Sequence, residues 1–239
     1  MVTEIGKKTV RDVVLETPAA ARIFEDLGID YCCGGEKLLL QACSEAKVRL
    51  EDISAALAKP APMKLDRDWR DAPLAELVQF IVDKHHSFTR EEIQRLIPLI
   101  SKVVSVHGKN HPELLQVQSL FRGLAQELTM HMTKEEQVLF PHIAEMAEAA
   151  HNKRPLPRAM FGTVESPVRM MVSEHDSSGR VLHDLRNVTN GYVSPPDGCA
   201  TYEALYSGLE SFEKDLHNHI HLENNILFPR AVDLEREAA

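Results

Sequence analysis

An eleven-residue segment occurs twice in this chain. His131-Met132-Thr133-Lys134-Glu135-Glu136-Gln137-Val138-Leu139-Phe140-Pro141 aligns without a gap on His219-Ile220-His221-Leu222-Glu223-Asn224-Asn225-Ile226-Leu227-Phe228-Pro229, with His, Glu, Leu, Phe and Pro in common. A lone His-x-x-x-Glu says little in a chain with 12 histidines. The places these two occupy say more. Val117, Phe121, Leu124, Leu128, His131, Glu135 and Val138 alternate spacings of four and three residues, and so do Leu205, Leu209, Phe212, Leu216, His219, Glu223 and Ile226. That spacing keeps every member on the core-facing stripe of a helix. Each His and each Glu therefore stands where the other members are apolar.

A buried ionised carboxylate is costly unless paired, and two in one core also repel. Neither stripe contains a Lys or Arg. Cations supplied from outside resolve the conflict. A His and a Glu at i and i+4 lie one turn apart on one face, within reach of a common metal centre.

Four long helical stretches are expected, roughly 74–107, 112–149, 166–190 and 197–233, separated by breaks rich in Gly, Asn and Pro. Four such helices with short connections form an antiparallel four-helix bundle. The fold class is all-α, and only 11 glycines in 239 residues agree with long helices and few turns. Pro98, Pro141 and Pro229 are expected to kink or end helices. The first sixty residues read as a small helical domain (1–60), with a helix opened by Thr17-Pro18 and stopped at Gly28, and another over 50–59. A linker over 61–73, rich in Pro and charge, separates it from the bundle at 74–239.

The other two bundle helices should add ligands. The third carries Val168, Met171, His175, Ser178, Leu182 and Leu185 on one stripe, and Ser178 and Gly179 leave space one turn on. In the first, His85 and His86 are adjacent, only one is expected to point inward, and periodicity does not choose between them. Four histidines and two glutamates are too many for a tetrahedral zinc and too rich in imidazole for calcium or magnesium. The set suits two iron ions bridged by the carboxylates and an oxo or hydroxo group, with an open coordination position; manganese is the second choice. Glu127 and Asp215, one turn before His131 and His219, are candidates to hold the far imidazole nitrogens, although a solvated surface acid is the plainer reading. His217 and His221 read as surface residues. His107, His111, His142, His151 and His183 show no pattern that sets them apart.

The net charge of −9, from 27 basic and 36 acidic residues, disfavours a nucleic-acid partner. No apolar run approaches the ~20 residues of a membrane span, and the start has no signal-like apolar stretch. Four cysteines are too few for a disulfide scaffold, so a cytoplasmic, thiol-reduced protein is expected. Cys32 and Cys33, before Gly34-Gly35, are poorly placed for a mutual disulfide; as thiolates they can accept iron or exchange thiols. Cys43 and Cys199 are read as structural, although Cys199 sits near a helix start that lowers a thiol pKa.

These residues resemble a known family. Asp30-Tyr31-Cys32-Cys33-Gly34-Gly35, Asp68-Trp69-Arg70 before Ala72-Pro73-Leu74, the two repeat segments, and Glu174-His175-Asp176 with Gly179 are similar, essentially end to end, to the di-iron iron–sulfur cluster repair proteins with a hemerythrin-like domain. The resemblance implies iron ligation by His86, His131, Glu135, His175, His219 and Glu223, with both glutamates bridging. It also favours His86 over His85. It implies repair of iron–sulfur clusters damaged by nitric oxide or peroxide, through iron supply, with Cys32 and Cys33 taking part. The expected partners are damaged or apo iron–sulfur proteins and nitric oxide or oxygen; a homodimer is compatible. The alternative is a protein that binds nitric oxide or reduces it to nitrous oxide.

Overall fold

The computed structural model describes residues 2–58 and 68–238. Most of the expected 61–73 linker, together with Lys59 and Pro60, lies outside the described residues. Among the described residues the chain is helical, with isolated bridges only at Thr9–Leu38 and Ala159–Gly162.

Among the described residues five short helices come first: α1 (Val2–Ile5), α2 (Val10–Glu16), α3 (Ala20–Leu27), α4 (Leu39–Ala46) and α5 (Leu50–Leu57). A reciprocal capping box between Thr9 and Asp12 opens α2. Gly28, at φ 68°, closes α3 in the left-handed conformation that glycine adopts without strain. Thr17-Pro18 does not cap α3 as expected: the helix begins at Ala20 with no side-chain cap. Val10, Val13, Phe24, Ile29, Tyr31, Leu39 and Ile53 close this unit's own core.

Four rods follow. Rod one is α6 (Leu74–Phe80), a π-helical turn (Ile81–His86) and α7 (Ser87–His107). Rod two is α8 (Glu113–Lys134), a π turn (Glu135–Leu139) and α9 (Phe140–His151). Rod three is α10 (Glu165–Val188). Rod four is α11 (Ala200–Leu222), a π turn (Glu223–Leu227) and α12 (Phe228–Glu237). α7 packs on α8 and α11, α8 also on α10, and α6 on α9. This is the antiparallel bundle expected from the sequence.

The π turns bear on two expectations. A π turn admits an extra residue, so the buried stripe slips by one position beyond it. Val138 is consequently half exposed and Leu139 takes its place in the core. In rod one the wide turn buries both His85 and His86, at 3% and 0% exposure, against the expectation that only one points inward; of the two, His86 joins the clustered ligand atoms. The prolines do not end the rods. Pro98 lies inside α7, and Pro141 and Pro229 stand in the first turns of α9 and α12, where a missing N–H costs least.

Two apolar cores fill the bundle. Leu96, Phe121, Leu124, Leu128, Leu182, Phe212 and Leu216 belong to one. Leu77, Ile81, Leu139, Met171, Ile226, Leu227 and Phe228 belong to the other. On every rod the polar candidates fall between them. The N-terminal unit docks beside this level: Cys32 joins the first bundle core, and His217 bonds Glu25 at 2.9 Å. Trp69 stacks on Phe80 at 4.5 Å, and Arg230 donates to its carbonyl at 3.0 Å.

Candidate metal centre

His86, His131, Glu135, His175, His219 and Glu223 converge on one chamber, each at most 3% exposed. They form two groups, His86–Glu135–His219–Glu223 and His131–Glu135–His175–Glu223, each with its ligand atoms within 4.8 Å of one another. Both glutamates belong to both groups. Glu135 Oε2 lies 3.4 Å from His86 Nε2, and its Oε1 lies 3.3 Å from His131 Nε2. Glu223 Oε1 lies 2.9 Å from His219 Nε2, and its Oε2 lies 3.1 Å from His175 Nε2. Each carboxylate thus turns one oxygen to each histidine pair.

Groups behind the rings set their tautomers. Nδ1 of His86 donates to Glu136 at 2.6 Å, that of His131 to Glu174 at 2.8 Å, and that of His175 to Asn224 Oδ1 at 2.8 Å. Neutral rings held in this way present a lone pair at Nε2. Yet His86 and His219 face each other Nε2 to Nε2 at 3.1 Å, and His131 and His175 at 3.0 Å. Both oxygens of Glu135, and Glu223 Oε2, have no hydrogen-bond donor. Ring nitrogens and carboxylate oxygens thus face one another in a buried chamber, and added positive charge, from metal or from protons, relieves their repulsion. The electrostatics agree. Burial works against charge on His86, but the facing carboxylates of Glu135 and Glu223 raise its imidazole to about 10, so it holds a proton there when no metal does. Burial opposes His131 as well, and mainly Glu135 raises it to about 9. Burial pushes both glutamates up, and Glu223 repels charge on Glu135, yet the facing imidazoles keep both below the usual carboxylate range. The donor set and its orphaned oxygens fit bound metal.

Other expectations fare differently. Glu127 faces solvent, the plainer of its two readings. Asp215 holds His85 Nδ1 at 3.0 Å rather than His219, whose Nδ1 is buried without a partner. His85 stacks parallel to His219 at 5.9 Å. The true holders, Glu136, Glu174 and Asn224, adjoin ligands in sequence. Glu136 and Asn224 moreover occupy equivalent positions of the repeat, which is the signal that identifies them. His217 and His221 are not surface residues: the N-terminal unit covers them, and His221 bonds Asn225 at 2.8 Å. His142 is buried against Phe161.

All four cysteines are free. Cys32 is buried and Cys33 half-buried, their sulfurs 3.7 Å apart. A hydrogen bond to Cys33 and burial push the Cys32 thiol up, so it is a thiol rather than the expected thiolate. Asp30 Oδ1 accepts both their backbone N–H groups, at 3.1 and 2.9 Å. The space left by Gly179 is taken by Cys33, whose Sγ would lie 3.4 Å from a Cβ there. Cys43 is buried, as a structural role requires. Cys199 is exposed, against expectation, and stands just before α11 with its Sγ 3.2 Å from His107 Nε2.

Residues 77–231 match the family described as Hemerythrin HHE cation binding domain, and residues 6–61 match ScdA_N, a domain of unknown function. Over 221 residues the chain is 37% identical to the iron-sulfur cluster repair protein YtfE of Shigella boydii serotype 4 (strain Sb227), covering 92% of this chain and 94% of that one. The same figures hold for YtfE of Escherichia coli (strain K12 / DH10B). The chain belongs to the hemerythrin-like iron–sulfur cluster repair family. The ScdA_N match of this family member contains the paired cysteines, and the hemerythrin match contains all six clustered side chains. No helix among its described residues is long and apolar enough to cross a membrane.

Proposed function

We propose that the six side chains hold two iron ions, bridged by Glu135 and Glu223 and by an oxo or hydroxo group, and that the chain restores iron–sulfur clusters damaged by nitrosative or oxidative stress by supplying iron. The observation that carries this reading is the division of each carboxylate between two histidine pairs. Imidazoles and carboxylates hold ferrous iron less tightly than a thiolate cage, so iron can pass on to an apo cluster site. When bound, the iron supplies a redox-active, exchangeable cation. His86, His131 and His175 offer lone pairs whose direction Glu136, Glu174 and Asn224 fix. The apolar cores keep bulk water out. Cys33, half-buried beside His175 with its Sγ 3.6 Å from that residue's carbonyl, is the reachable sulfur for iron in transit, with Cys32 behind it. The setting is the cytoplasm, where free thiols persist, and the clients are damaged or apo iron–sulfur proteins.

The test begins with metal analysis and a Mössbauer spectrum of the anaerobically purified chain, expected to give two irons. Glu135→Ala and Glu223→Ala should each lose most of the iron; full content in both would refute bridging. The loaded chain should reactivate a nitric-oxide-damaged cluster enzyme, and the Cys32→Ala/Cys33→Ala variant should keep its iron and repair poorly. Catalytic nitrous oxide production without reactivation would favour nitric oxide reduction instead.

A further inference from the structure

Building on that metal centre, we propose that Asn224 couples the Cys32–Cys33 loop to the centre, so that a docked loop and a retained metal reinforce each other through His175. The three held imidazoles are not held alike. His86 and His131 donate to carboxylates, Glu136 and Glu174, which also engage Arg90 at 2.7 Å and Lys134. A carboxylate only accepts. His175 alone is held by an amide, and an amide has two different ends. Asn224 Oδ1 accepts from His175 Nδ1 at 2.8 Å, while its Nδ2 donates to the Cys32 carbonyl at 3.3 Å.

A polar chain therefore runs from the loop backbone through one side chain to a ligand, whose Nε2 faces Glu223 Oε2 at 3.1 Å. No carboxylate at this position can make both bonds. Asn225 supplies the contrast. It donates to the Tyr31 carbonyl at 3.0 Å and bonds His221 at 2.8 Å, so it anchors the same loop without touching a ligand. The loop fits closely: a Cβ on Gly35 would stand 2.9 Å from Asn225 Oδ1. When the loop lifts, the Asn224 amide loses one of its two fixed bonds and His175 loses its rigid acceptor. Linkage makes the effect mutual, so metal that fixes His175 also fixes the loop. Loop undocking is then the event that loosens the metal, at the moment Cys33 becomes free to engage a client.

The experiment compares the full-length chain, metal-free and loaded anaerobically with ferrous iron, by amide hydrogen exchange of the peptide spanning Asp30–Gly35. Loading is expected to slow exchange about fivefold, the effect of one hydrogen bond of ordinary net strength. Asn224→Asp keeps the acceptor for His175 and loses the donor to Cys32. Compared with wild type at equal iron content, this variant should lose the metal-dependent slowing of the loop. Gly35→Ala, which displaces the loop from outside the centre, should speed extraction of iron by a chelator about fivefold. Equal loop exchange in the loaded and empty wild-type chain overturns the coupling, as does full slowing in Asn224→Asp. A wild-type chain that binds no iron overturns the metal centre and the coupling with it, whereas an iron-loaded chain without slowing overturns the coupling alone.

Discussion

At the scale of single residues, what lies behind a reactive group matters as much as the group. Glu136, Glu174 and Asn224 decide which nitrogen of each imidazole faces the chamber, while His219 has no such partner and is backed instead by the flat ring of His85. The same logic applies at the far end of the bundle. His107 beside the exposed Cys199 lowers its thiol to about 7, aided by the first backbone N–H groups of α11. Peptide-resolved alkylation of Cys199 by iodoacetamide should therefore titrate with a midpoint near 7. In His107→Ala the midpoint should move toward about 8.5, the value of an unassisted thiol. An unmoved midpoint would remove the imidazole as the cause.

Among elements, the repeat explains more than its ligands. Its two phenylalanines lie flat on imidazoles: Phe140 on His86 at 5.6 Å and Phe228 on His175 at 6.0 Å. Both are fully buried. Phe140→Ala or Phe228→Ala should cost about 3–5 kcal/mol of stability, read by urea unfolding. Either variant should also lose iron faster to a chelator, because the ring it frees can tilt. A variant destabilised to that extent with wild-type iron retention would show that the stacks only fill space.

Much at this scale was legible beforehand. The four rods and the inward His and Glu of α8 and α11 follow from a hydrophobic period that few other folds produce. Val138 was misplaced, and His85 was set against His86, because strict α-helical spacing carries no sign of a π turn. Rotation around one helix places His217 and His221 on the surface because it does not reveal a second unit docking there. Asp215 was paired with the wrong histidine for a related reason: its partner comes from another rod, 130 residues away.

For the whole molecule, the chamber joins stability to metal and to pH. Metal that binds only the folded chain stabilises it, so the metal-free chain should melt at a lower temperature than the loaded one. The sign of its pH dependence follows from the raised imidazoles. Their stabilising protons are fully present below the unfolded value of about 6.5. The contribution is lost as pH rises through about 9 for His131 and about 10 for His86. The melting temperature of the metal-free chain should fall between pH 7 and 10 more steeply than that of the loaded chain. Parallel slopes, measured by calorimetry on both forms, would contradict this account.

The two greasy cores set how quickly cargo moves. Leu128 and Leu216 bury the chamber on one side along the rods, and Leu139 and Leu227 on the other. The flank where α10 meets the cysteine loop carries a cavity lined by Cys32, Cys33, Asp176 and Gly179. Filling and emptying then take their tempo from the breathing of the protein, and warming should quicken them far more than ordinary ligand exchange in solution.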